Sequence, residues 1–167
     1  LSGTPTPTWQ PATGAWRADY FANPQLAGAP VLVRSEPEIN HNWGNGSPHP
    51  AVPADGFSAR WTRRLYLPSG LYRFLARADD GVRVWVDGAL VIDGWSNHPP
   101  VTYTATRNLA AGAHSFQVEY YQLDYGAMIV VQITQGGVSP GPGPSPSGVW
   151  RGNYFNNITC SGAPSFT

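Results

Sequence analysis

The chain has 167 residues, ten of them basic and ten acidic, for a formal net charge of zero. Every basic residue among the ten is arginine, and without an excess of positive charge there is no electrostatic case for nucleic acid or for an anionic membrane surface. The apolar run Met128–Val131 falls far short of the roughly 18 residues a spanning helix needs, so no membrane insertion is expected.

Residues 1–13 (LSGTPTPTWQPAT) read as a Pro/Thr-rich linker. Residues 14–135 follow as one module, a length that can bury a sizeable core. No stretch within it keeps a 3.6-residue apolar spacing, whereas period-two alternation recurs, as in Leu71-Tyr72-Arg73-Phe74 and Val82-Arg83-Val84-Trp85-Val86. The module is predicted to be an all-β antiparallel sandwich, with strands at 15–21, 30–34, 58–67, 70–78, 81–87, 89–93, 101–108, 113–121 and 127–135. Asp87-Gly88 lies between two apolar runs, and a type I′ turn needs positive φ at both central residues, so a tight hairpin is expected there. Ser35 to Phe57, with Pro37, Pro48, Pro50 and Pro53, shows no alternation and reads as a long loop packed over one sheet, anchored by Trp43.

Residues 136–147 (GGVSPGPGPSPS) form a second linker. Beyond it the first copy's opening recurs: Gly14, Trp16, Arg17, Tyr20 and Phe21 return as Gly148, Trp150, Arg151, Tyr154 and Phe155. Residues 148–167 thus read as the truncated start of a second copy, and a parent carrying the module in tandem is expected. Trp150, Tyr154, Phe155 and Phe166 need an apolar cover, so this segment is expected to dock as an added or exchanged strand. The single Cys160 finds no partner in the chain. Seventeen prolines, nineteen glycines and the Pro/Ser linkers suit a turn-rich protein that is secreted or tethered at the cell surface.

Tyr20-Phe21, Trp43-Gly44, Phe57-Ser58-Ala59-Arg60-Trp61, Gly70-Leu71-Tyr72-Arg73-Phe74, Val118-Glu119-Tyr120-Tyr121 and above all the segment ADDGVRVWVDG from Ala78 to Gly88 resemble the PA14 (PA-fourteen) domain family, named for the 14-kDa fragment of a toxin's protective antigen. The resemblance covers about residues 15–135 and implies a β-sandwich whose lectin members bind sugars through Ca²⁺. It implies that Asp79 and Asp80, joined by a cis peptide, both ligate the ion. In a trans-linked strand, neighbouring side chains point to opposite faces and could not share one ion. It likewise marks Gln122-Leu123-Asp124 as a second calcium loop, offering an amide oxygen, a carbonyl and a carboxylate to a cation that takes about six to eight hard oxygens. On this reading Asp79, Asp80, Gln122, Leu123 and Asp124 hold Ca²⁺, while Asp79, Asp80 and Trp95 contact a glycan. The same Asp79-Asp80-Gly81 also suits a turn whose aspartates accept from backbone amides.

Asp87 and Asp93 precede glycines at strand ends and read as turn residues, His41, His49 and His98 lack zinc-ligand spacing, and His114 reads as structural. No nucleophile elbow, phosphate loop or paired catalytic carboxylates appear, so a non-enzymatic module is expected. The resulting expectation is a secreted or surface lectin or adhesin with glycan partners. The alternatives are a structural spacer or protein-interaction module of a repetitive surface protein, and a targeting module beside a glycoside hydrolase.

Overall fold

The computed structural model describes residues 14–136. Ten strands make up the module: β1 (Trp16–Phe21), β2 (Leu32–Glu36), β3 (Ile39–Gly44), β4 (Phe57–Leu67), β5 (Gly70–Asp79), β6 (Val82–Val86), β7 (Ala89–Gly94), β8 (Val101–Leu109), β9 (Gly112–Gln122) and β10 (Ala127–Gln135). They form a six-stranded sheet in the order β2-β1-β4-β9-β6-β7 and a four-stranded sheet in the order β3-β10-β5-β8. Every pairing is antiparallel. The all-β sandwich read from the sequence is the fold. Both linkers apart from Gly136, and the second copy at 148–167, lie outside the described residues. So do the expected docking of Trp150, Tyr154, Phe155 and Phe166, the strand exchange and the pairing of Cys160.

Alternation makes the core. On β5, Tyr72, Phe74, Ala76 and Ala78 are buried while Leu71, Arg73 and Arg77 are exposed. On β6, Val82, Val84 and Val86 turn inward opposite Tyr120, Val118 and Phe116 of β9. Trp61, Tyr20, Tyr120, Phe57 and Phe74 are the largest wholly enclosed side chains, and each contributes about 1.5–3 kcal/mol on burial. Asp87 and Gly88 have φ of 52° and 76°, as the β6–β7 hairpin requires. Asp87 also accepts from the Ser115 amide at 2.9 Å and from His114 Nδ1 at 2.6 Å, so both residues serve that turn.

The stretch from Ser35 to Phe57 is not wholly loop: β3 pairs with β10. Its alternation is Ile39, His41 and Trp43 inward against Asn40 and Asn42 outward, concealed because an inward histidine counts as polar. His41 is turned in because it stacks on Trp43, at 4.8 Å between ring centres, and bonds Glu36. Trp43 anchors the segment as expected, packing edge-on against Phe57 and Tyr20.

Glu36, 4% exposed, is the centre of a polar knot in the core. Its Oε1 accepts from Tyr20 (2.7 Å) and Arg34 (2.6 Å), and its Oε2 from Trp61 Nε1 (2.6 Å) and His41 Nε2 (2.8 Å). Burial pushes this carboxyl up, but the bonds from His41, Trp61 and Tyr20 outweigh it and hold the group at about 2.

Candidate functional site

Asp79 ends β5, Asp80 and Gly81 turn the chain, and Val82 opens β6. The Asp79–Asp80 peptide is cis. Gly81 is required by its neighbour, since a Cβ there would lie 2.1 Å from the Tyr121 ring. That ring belongs to β9, whose Tyr121 amide donates to the Gly81 carbonyl at 3.0 Å.

Asp80 is 6% exposed and ties two further loops to this turn. Its Oδ1 accepts from the His98 amide (3.2 Å) and its Oδ2 from the Leu123 amide (3.0 Å). The backbone-capping role is therefore filled by Asp80. Asp79 differs: its carbonyl accepts from Tyr120 at 2.5 Å, while its carboxylate has no hydrogen-bond partner among the described residues. Burial raises its pKa, the charges of Asp80 and Asp124 add to the rise, and His98 opposes it. Gly126 passes alongside, its Cβ position 3.7 Å from Asp79 Oδ2.

The structure brings the 122–124 loop to the two aspartates but uses much of it internally. Gln122 is wholly buried, its Oε1 3.0 Å from the Tyr120 hydroxyl oxygen, whose one proton is shared with the Asp79 carbonyl, and its Nε2 donating to the Asp124 carbonyl at 2.6 Å. The Leu123 carbonyl accepts from the Gly56 amide at 3.0 Å. Asp124 is exposed, as is Tyr125, which sits at φ 64°. The donors are hard oxygens, the kind Ca²⁺ takes, and Asp79 has a carboxylate to give. As they stand, however, no three His, Cys, Asp or Glu side chains among the described residues converge to enclose an ion. The fit is one of donor chemistry, with Asp124 on the loop that would have to close.

Trp95 is not a free platform. Arg83 lies over its ring at 3.9 Å and Tyr121 packs edge-on against it at 4.6 Å. Arg83 is itself fixed by Glu119 at 2.8 Å, and Glu119 also takes Arg60 at 2.9 Å. Tyr121 completes the cluster by donating to Asn97 Oδ1 at 2.7 Å. Sequence reading missed Tyr120, Tyr121 and the His98 amide as the frame of this site; the only signal was two adjacent tyrosines ending a strand that points at Asp79-Asp80. Asp93 is an exposed strand-end residue.

The sequence profile of the PA14 domain family matches residues 11–140, and the chain belongs to that family. It is 37% identical over 108 residues to the anti-sigma-I factor RsgI3 of Acetivibrio thermocellus, covering 64% of this chain and 17% of that protein. A solved anti-sigma factor domain-containing protein superposes with a TM-score of 0.69 at 31% identity, over 78% of this chain and 50% of the other. Another, from Clostridium clariflavum, does so at 0.66 and 30%, over 74% and 42%. The chain thus spans half or less of the length of these three relatives.

These relatives overturn the expectation of a lectin or adhesin with glycan partners. Proteins 30–37% identical to this chain are named for anti-sigma regulation, not for carbohydrate or adhesion. The physical reason for the misreading is that the aspartate pair serves the fold through Asp80 whatever the module recognises, and that Trp95 is spent on Arg83.

Proposed function

We propose that this module is the sensing domain of an anti-sigma-factor-type regulator, displayed outside the cell on its Pro-rich linkers, and that it recognises its signal without catalysing a reaction. The carrying observation is the 37% identity to an anti-sigma-I factor of which the matched region is 17%. A rigid sandwich with loops gathered at one end suits a recognition unit within a larger protein. We place the recognition centre at Asp79, Asp80 and Asp124 and assign it one Ca²⁺. Support comes from the unpartnered Asp79 carboxylate and the mutual charge repulsion a divalent ion would relieve.

In the parent regulator, in-frame removal of residues 14–136 is expected to leave sigma-factor output at its basal level but deaf to inducer. Constitutive output would instead assign the module to the sigma-binding side and refute the reading. For the ion, calorimetry should show one Ca²⁺ per chain, abolished in Asp79→Asn. Because Asp79 starts with a raised pKa, affinity should weaken as pH falls through that value and its carboxylate takes a proton. Titration heats equal to the dilution blank would remove Ca²⁺ from the proposal and leave the sensing role to the first experiment.

A further inference from the structure

At the other end of the sandwich the two sheets part to leave a slot of about 200 Å³, lined by Trp16 of β1, Leu65 and Leu67 of β4, and Val131 and Ile133 of β10. The slot stays open because Pro37 and Glu38 interrupt the chain before β3, which covers β10 only as far as Val131. Arg63 also lines it, lying near the Trp16 ring at 5.7 Å from its centre. Among the described residues, the buried Arg63 Nε has no acceptor and no carboxylate forms an ion pair with this guanidinium. Native proteins pair nearly all such buried donors, and the rest of this guanidinium is partly exposed at the slot wall, where it can take an anion.

We propose that this slot is a second ligand site, separate from the aspartate centre, and that it takes a small free carboxylate with an aliphatic body of about six carbons, a size set by comparison with an engineered cavity of about 150 Å³ that holds benzene. The aliphatic chain lies against Leu65, Leu67, Val131 and Ile133. The carboxylate accepts from Arg63, which offers a planar fork matched to that group. Glu38 repels an anion at the mouth, but its side chain is exposed and water screens it. Tyr72 of the slot and Asp79 stand seven residues apart on β5, so the two sites are separated by about 23 Å along the strand.

The test is an NMR titration of the full 167-residue chain at neutral pH with sodium hexanoate, and with 1-hexanol as the neutral match. Hexanoate is expected to shift the Trp16 indole and the Ile133 methyls saturably, and to bind at least about tenfold more tightly than hexanol, as a charge-assisted pair would allow. Arg63→Met should bring the two affinities together, and Leu65→Phe, which fills the slot, should weaken both ligands. No saturable shift with hexanoate, or equal affinities for acid and alcohol in the wild type, would overturn the site, and this comparison decides even where a variant does not fold. A preference that survives Arg63→Met would overturn the role of Arg63.

Discussion

Two carboxylates show how differently this fold treats buried charge. Glu36 is held ionised by four donors at 2.6–2.8 Å, whereas Asp79 has none and is pushed toward its neutral form. Because the folded pKa of Glu36, about 2, lies below its ordinary 4.5, the folded state binds the proton less tightly than the unfolded chain. Its contribution is complete above 4.5 and lost as pH falls toward 2, so urea midpoints should drop across that window. Glu36→Gln keeps the shape but removes the charge and turns one acceptor into a donor facing donors. It is expected to cost about 3–5 kcal/mol, as breaking a buried ion pair does, and to flatten the acid dependence. A wild-type midpoint that stays constant from pH 4.5 to 2 would count against the knot.

Among the elements, the β5–β6 turn carries the tightest sequence requirement, since Gly81 leaves room for Tyr121 and Asp80 ties in the loops at His98 and Leu123. Gly81→Ala is expected to destabilise by about 1–3 kcal/mol, the usual cost of overpacking, because the Tyr121 ring must leave its place and release Asn97. Adding Tyr121→Ala should recover part of that loss, a non-additivity that equilibrium unfolding of the single and double variants would reveal. This turn was legible beforehand, as was the Asp87-Gly88 hairpin, because each rests on a local rule. The nine anticipated strands were legible too, through apolar alternation. β3 was not, since His41 is inward for the sake of Glu36, a partner five residues away that no periodicity announces. The candidate site was only half legible: the aspartate pair and the 122–124 loop do meet. That Gln122 and the Leu123 carbonyl would be committed to Tyr120, Asp124 and Gly56 depended on tertiary contacts alone.

Across the whole molecule, stability should reside within residues 14–136. Among the described residues, both sheets are composed of strands from Trp16 to Gln135, and the buried core cluster draws on residues from Trp16 to Ile129. The last strand, β10, is central in its sheet, pairing with β3 on one side and β5 on the other, and Gly136 still donates to the Leu71 carbonyl at 2.7 Å. Truncation before Gln135 would therefore open the four-stranded sheet, whereas removing residues 148–167 leaves every pairing among the described residues in place. A chain of residues 14–136 is expected to unfold in one transition with a Tm within about 2 °C of the full chain, a shift that for a domain of this size corresponds to less than about 1 kcal/mol. Ending the chain at Ile129 instead should abolish the transition, because most of the β10–β5 register is lost. Calorimetry of the three chains checks this, and a Tm lowered by 10 °C or more on removing 148–167 alone would show that the second copy contributes to the core of the first.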